Sequence, residues 1–491
     1  MSKETKSFGK TITSFNKTFW TASFMELFER WAWYGLFAVL ALYLTGSTDD
    51  GGLGFTHTEK GRIMGYVTAI LYLLPLFTGV ISDKIGYKLS LIIAYILLMS
   101  GYFLMGQVTS YVAVFMIFLW VALGAAMFKP VASAIITKST DKSNSTLGFG
   151  IFYMMVNIGG FIGPAFSSTL RTQFGWKIVF IQASVVIFIN LLIVLFFFKE
   201  PYREKKKEGF GEAVISALKN IWEALKDTKL TVLLIIMVGF WTMFNQLFYT
   251  LPTFIEDWVN TKALHDSIAQ ISPWLASFMS GGGDKVNPEM LINIDAGAIV
   301  LFQIIVSYFV LKIRHVSAMI SGFLIATIGI GITFYTGNGF YTILGIVIFA
   351  IGEMATNPTF SSFIALISPK GKEALYMGTY FVPVFVGNFF TTFISGDLYE
   401  AWSDKLTLLK SEIATKGISM PEISSEFTKN DYFAMASEKL GMTQNQMTQY
   451  IWDNYQPNRI WYVIVGIGIF TIFALFLYDM FVIRPRERNG K

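Results

Sequence analysis

Apolar residues in this chain do not alternate with polar ones at the period of a half-buried strand. They continue for 20 residues or more before a short polar segment interrupts them. An α-helix needs about 20 such residues to cross a ~30 Å hydrocarbon core, and it satisfies its backbone polar groups internally, as lipid requires. The pattern predicts helical spans near 18–45, 60–82, 89–107, 109–137, 147–170 and 176–199, and again near 230–256, 291–313, 317–336, 340–367, 373–398 and 458–483. A single apolar run could be a signal peptide, but here there are about twelve, and Met1 to Lys17 is polar and basic, so no cleavable signal is visible. Between the two sets lies the charged linker PYREKKKEGF. It leads into GEAVISALKNIWEALKD, whose apolar residues at helical spacing predict an interfacial amphipathic helix. The expected organisation is a six-helix bundle over 1–200, a linker over 201–229, and a second bundle over 230–491 with long loops at 257–290 and 399–457.

The two sets repeat. A shift of 228 positions superimposes Lys84-Ile85 on Lys312-Ile313, Gly101 on Gly329, Ala122 and Gly124 on Ala350 and Gly352, Pro130 on Pro358, Ser133 on Ser361, and Gly150 on Gly378. Duplicated halves of six spans resemble the architecture of the major facilitator superfamily, in which a substrate site lies near mid-membrane between the halves. The expected fold is therefore an all-α membrane protein of twelve transmembrane helices in two pseudo-symmetric bundles.

Composition narrows the function. Charged residues make up 14% of the 491 residues, against about 25% in soluble domains, and the mean hydropathy is +0.54. The net charge of +5 comes from basic residues in short loops. That placement is not the clustered patch that binds nucleic acid. With no cysteine, disulfides, thiol chemistry and cysteine-ligated metals are excluded. The three histidines, His57, His265 and His315, lie in or beside loops, so histidine-based catalysis or zinc chemistry inside the membrane has almost no material. No enzyme activity, cofactor or metal is expected. Lys84, Lys88, Lys138, Lys142, the linker lysines, Lys312, Arg314, Lys370, Lys372 and Arg484 to Arg488 all fall on one side, while the loops at 108–110 and 336–339 carry no Lys or Arg. The positive-inside rule then puts both termini and the linker in the cytoplasm and the two long loops outside.

Charges inside spans cost at least ~2.5–3.5 kcal/mol each, so each one needs a reason. The first span has Glu26, Glu29 and Arg30, the fourth Lys129, and the tenth Glu353. Glu26 and Arg30 are i, i+4 on one face, which Tyr34 and Phe37 continue. At ~1.5 Å per residue, Arg30 lies about 17 Å and Lys129 about 12 Å from the linker side, and Glu353 about 20 Å from the other. All three can line one midplane cavity. A plain structural ion pair is the competing reading for Glu26–Arg30 and for Lys129–Glu353. Asp295, close to the end of the eighth span, is expected to reach the interface. Tyr72, Tyr153 and Asn157 could equally be ordinary helix-packing residues. Without an intramembrane histidine, proton coupling falls to carboxylates, whose proton affinity changes as a cation approaches or leaves.

These residues sit in motifs that resemble a family. MELFERWAWYG, Met25 to Gly35, is similar to the E-x-x-E-R-F-x-Y-Y-G signature of proton-dependent oligopeptide transporters. GVISDKIGYK resembles the facilitator-superfamily loop between spans two and three. MFKP, FYMMVNIGG, IGEMATNP and YMGTYFVPVFVGN are similar to the family's patterns in spans four, five, ten and eleven. The resemblance implies proton-coupling roles for Glu26, Glu29, Arg30 and Glu353. It implies a substrate site of Tyr34, Tyr72, Lys129, Tyr153, Asn157, Glu353, Asn357 and Tyr380. It also points to departures. Many bacterial members carry an arginine where Phe37 stands and a glutamate where Asn245 stands, and the two pair at an outer gate; here the gate would be uncharged, with Phe37 facing Asn245. The span-eleven aromatic, usually Trp, is Tyr380. The two extra spans of bacterial members are absent, and the loop at 399–457 is long.

The expected function is a symporter that imports di- or tripeptides with protons by alternating access, as a multi-pass protein of a bacterial inner membrane. Its partners would be a peptide-like small molecule, protons and the lipid bilayer, with no nucleic acid. The alternatives are a proton-coupled carrier, importing or exporting, for another organic or drug-like solute, to which the weakly antiporter-like NIGGFIGP lends some support, and a non-transporting membrane receptor.

Overall fold

The computed structural model describes residues 12–141, 144–201, 209–369 and 372–485. The charged linker residues Arg203 to Lys207, together with Lys142, Lys370, Arg486 and Arg488, lie outside the described residues.

The described chain is helical. The main helices are α1 (Lys17–Thr45), α2 (His57–Leu73), α3 (Pro75–Ile85), α4 (Tyr87–Met105), α5 (Tyr111–Lys138), α6 (Ser145–Phe174), α7 (Trp176–Phe196), α8 (Phe210–Leu225), α9 (Thr228–Phe244), α10 (Pro288–Val310), α11 (His315–Tyr335), α12 (Gly339–Ile367), α13 (Phe381–Phe393) and α14 (Ile460–Tyr478). Among the described residues, ten helical segments are long and apolar enough to cross a membrane, and α2 with α3 makes an eleventh, bent by 47°. Pro75, at the first turn of α3, accounts for the break, since it has no N–H to continue α2. The twelfth is α1. Its 29 residues reach about 43 Å, but its charges lower its hydropathy. Asn16 caps α1 by accepting from Phe19 N at 2.8 Å, and Thr56 with Glu59 forms a capping box at the start of α2.

Backbone contacts at glycine set the packing. α1 and α6 form one of the most extensive helix pairs. Gly159 and Gly163 of α6 lie against the Leu27 and Trp31 carbonyls of α1, where any Cβ would collide. The 228-residue repeat has the same meaning in space: Gly124 lets α5 close on α4, and Gly352 lets α12 close on α11. The linker helix α8 leaves Ile215, Leu218 and Trp222 exposed, the apolar face an interfacial helix keeps for lipid.

The long segments read as loops are helical in part. Residues 261–271 and 273–280 form helices between Trp258 and α10, and helices at 405–415, 429–439 and 444–455 cap that same end. Their start signals were present in the sequence, with capping boxes at Thr428/Asp431 and Thr443/Gln446. Hydrogen bonds and ion pairs between the halves cluster at this loop end. Arg171 forks onto Glu289 at 3.0 and 3.2 Å. Lys429 donates to the Thr45 and Phe55 carbonyls, each at 3.1 Å, placing a cation at the C-terminus of α1.

The exposed residues Ser424 and Lys219 lie on the loop end and on the linker helix. With no native cysteine, single cysteines at the two positions should be labelled by an impermeant maleimide from opposite sides of the membrane. Labelling of both from one side would contradict the twelve-span arrangement.

Candidate functional site

A cavity of about 370 Å³ lies between the halves, within the usual range for small-molecule sites. Arg30, Tyr34 and Phe37 of α1, Tyr72 of α2, Lys129 of α5, Tyr153 and Asn157 of α6, Asn245 after α9, Glu353 and Asn357 of α12, and Tyr380 before α13 all line it. Glu26 and Glu29 stand behind this surface, bound to Arg30. Arg30 bonds directly to Glu29 and lies 3.5 Å from Glu26 Oε1. Glu29 is fully buried.

The cavity is polarised. The N-terminal half contributes two cations. The Arg30 guanidinium lies 5.7 Å from the Tyr34 ring centroid, and Lys129 Nζ lies 4.5 Å from the Tyr72 ring, so both are partly met by aromatic faces. The C-terminal half contributes Glu353 and Asp295. Uncharged groups fix the rest of the wall: the Tyr380 hydroxyl donates to Asn357 Oδ1 at 2.7 Å, and Asn157 Nδ2 donates to the Tyr153 carbonyl at 2.9 Å. Lys129 and Glu353 share the cavity but make no ion pair in this loop-closed arrangement.

The expected Phe37–Asn245 closure is displaced. Both residues line the cavity, but the Phe37 ring meets Tyr249 edge-on at 5.4 Å, and Asn245 turns to Thr391 Oγ1 at 3.4 Å. Tyr249 lies one helical turn beyond Asn245, its N donating to the Asn245 carbonyl at 3.0 Å, and makes the contact with Phe37 expected of Asn245. The Tyr249 hydroxyl donates to Asn388 Oδ1 at 2.7 Å.

Asp295 departs from expectation most. Instead of reaching the interface it is 4% exposed, lines the cavity and lies in side-chain contact with Glu353. Counting depth along one helix ignored what covers it: α10 packs on α6 and α12, and Asp295 lies between them. Sequence reading also missed Gly61 and Gly65, a small-xxx-small pair in α2. They bring α2 against Thr392 and Gly396 at the loop end.

That closure is rich in charge. His57 Nε2 lies 3.3 Å from Asp404 Oδ1, Thr58 N donates to Glu400 at 2.7 Å, and Lys60, fully buried, donates to the Tyr249 carbonyl at 3.0 Å. His57, Asp257 and Asp404 each bring a ligating atom within 4.8 Å of the others. Beyond the spans, burial pushes the Asp257 carboxyl up to about 7. Asp404 adds to this, while Lys405 and a hydrogen bond from Tyr399 oppose it.

Comparison with known proteins places this architecture. The family model of the Major Facilitator Superfamily matches residues 20–283. Dipeptide and tripeptide permease B of Aliivibrio fischeri (strain MJ11) is 30% identical over 187 residues, covering 36% of this chain and 35% of that protein. Dipeptide and tripeptide permease A of Klebsiella pneumoniae (strain 342) is 26% identical over 234 residues, 47% and 44%. An uncharacterized transporter, YclF, of Bacillus subtilis (strain 168) is 29% identical over 178 residues, 35% and 36%. The matched stretch thus spans between a third and a half of these relatives' length. Among solved structures, a POT family transporter in complex with 5-aminolevulinic acid superposes with a TM-score of 0.66 at 17% identity, covering 96% of this chain and 99% of that one. The nucleoside transporter NupG superposes with 0.66 at 12%, covering 94% and 99%. Likeness at these identities is likeness of fold.

Arg30→Ala strands the buried Glu29 and should cost about 3–5 kcal/mol. Adding Glu29→Gln should restore most of the loss in detergent melting. A double variant as unstable as the single one would remove the pair from this account. A second expectation concerns pH. Opening the loop end would hydrate Asp257 and return it to its ordinary range, so closure is favoured while Asp257 is protonated and weakens as pH rises through about 7. Spin labels at the exposed positions Thr48 and Lys410 should separate over that rise, and Asp257→Asn should abolish the change. A pH response unaltered in Asp257→Asn would assign it elsewhere.

Proposed function

The chain belongs to the Major Facilitator Superfamily, and on that premise we propose that it is a proton-coupled symporter importing di- or tripeptides by alternating access. The observation that carries this reading is the polarised cavity. A short peptide is a zwitterion with a carboxylate at one end and an ammonium at the other. A wall of Arg30 and Lys129 attracts the first, and a wall of Asp295 and Glu353 the second. Tyr34, Tyr72, Tyr153, Asn157, Asn357 and Tyr380 supply hydrogen bonds and ring faces that accept varied side chains. The names of the permease relatives point the same way.

In this reading the protein resides in a bacterial inner membrane with both termini in the cytoplasm, as the lysine and arginine bias suggests. The loop end is then the outer gate, closed here by Phe37 against Tyr249 and by the network around Lys60. For the cytoplasmic side to close, Lys129 and Glu353 approach across the pseudo-twofold axis. Protonation of Glu353 weakens that pair, and a peptide carboxylate competes for Lys129, so proton and substrate act in the same direction. Glu26, Glu29 and Arg30 couple to this because Arg30 is shared between the cavity and the two acids behind it.

The second reading, a proton-coupled carrier of another small organic solute, draws on the equally good fold match to a nucleoside transporter. A non-transporting receptor is the third.

Proteoliposome counterflow with dialanine separates them. Glu353→Gln mimics the protonated carboxyl and should lose pH-dependent, concentrative uptake while retaining exchange. Lys129→Ala should lose both, by tenfold or more. Wild-type pH dependence in Glu353→Gln, or intact exchange in Lys129→Ala, would remove the central switch. Absence of any dialanine exchange in the wild type would remove the peptide assignment.

A further inference from the structure

Four carboxylates lie at or behind the cavity, and they divide by partner. Glu26 and Glu29 face Arg30. Asp295 and Glu353 face each other. Among the described residues no ion pair joins either of the latter to Arg30 or Lys129, although all four groups line one cavity. The other titratable groups facing them are hydroxyls: Tyr34 of α1 and Tyr380 beside Glu353, and Tyr153 of α6 near both acids.

As ionised groups, Asp295 and Glu353 are acceptors only. Asp295 Oδ1 and Glu353 Oε2 are buried with no donor to satisfy them. Two uncompensated negative charges in contact within the membrane interior would repel strongly, beyond the desolvation cost of each. One proton between the two carboxyls removes a charge and turns repulsion into a hydrogen bond.

We propose that Asp295 and Glu353 form a single proton-binding site, in which one proton is held jointly by two carboxyls of the C-terminal half. The site deepens the reading of Glu353 as the protonated switch, but it depends on no particular substrate. Asp295 is the proton-sharing partner that positions and retains the proton. The pair then presents one negative charge to the cavity, and loss of the proton doubles it. The Lys129–Glu353 attraction that closes the far side therefore depends on both acids.

Infrared spectroscopy of the purified full-length protein at neutral pH, without substrate, reads this directly, because protonated and ionised carboxyls absorb separately. Relative to wild type, Asp295→Asn and Glu353→Gln should each remove one protonated-carboxyl band, since the remaining acid can ionise and accept from the new amide. The double variant should remove no second band. Removal of no band by either substitution, or of two bands by the double variant, would overturn the shared proton. Should a variant fail to fold, the unsubstituted chain labelled with carbon-13 at the carboxyls of either aspartate or glutamate gives the same answer. A shared proton yields a band that shifts with both labels, and bands that each respond to only one label contradict it. None of these outcomes depends on dialanine, so failure here is distinct from failure of the peptide assignment.

Discussion

A buried guanidinium between two buried carboxylates in the first span is the constraint on which the site depends. Arg30, Glu29 and Glu26 occupy little more than one helical turn, and none of them is more than 7% exposed. Removing Arg30 leaves two buried carboxylates without the cation that answers them. Their positions along the chain place Arg30 on the cavity and both acids behind it, so the cavity receives a cation whose own charge is already partly answered. The glycines of α6 let that helix approach the same stretch of α1 at backbone contact. Asn190 of α7 hydrogen-bonds the Met25 carbonyl at 2.8 Å just below it. These contacts hold in place the helix on which the charges ride.

The opposite half is arranged differently. Among the described residues its two cavity acids have no cation at ion-pair distance and lean on each other. The cavity thus has one wall of compensated positive charge and one of concentrated negative charge, a fixed dipole across about 370 Å³. In the proposed reading such a field favours ligands that carry both signs, because an anion or a cation alone would satisfy one wall and leave the other unanswered. At the loop end the halves meet through small residues and a dense hydrogen-bond network. The buried Lys60 ties α2 to the carbonyl of Tyr249, the residue whose ring closes on Phe37.

Much of this was legible in the sequence, because lipid makes charge costly. Spans appear as apolar runs, and any ionisable residue within them requires a partner or a cavity. Arg30, Lys129 and Glu353 could therefore be singled out without a structure. Their shared cavity followed from depth counting, since rise per residue is constant along a helix. The same counting misplaced Asp295, because depth says nothing about which helices cover a turn near a span's end. The pairing of Phe37 with Asn245 came from the family resemblance, and Tyr249, one helical turn further on, takes that contact instead. The helices within 399–457 carried readable caps, but their docking on α1 through Lys429 involves residues 384 positions apart, a separation that no local pattern encodes.

The central claim is that opposed charged walls recognise the two ends of a zwitterion. Competition for proton-driven dialanine uptake in proteoliposomes tests it most directly, using dialanine beside its N-acetylated and C-amidated forms. The account predicts that each single-blocked form competes at least about tenfold more weakly, a difference of about 1.4 kcal/mol, and that a form blocked at both ends does not compete. Equal competition by the blocked and unblocked forms would contradict it.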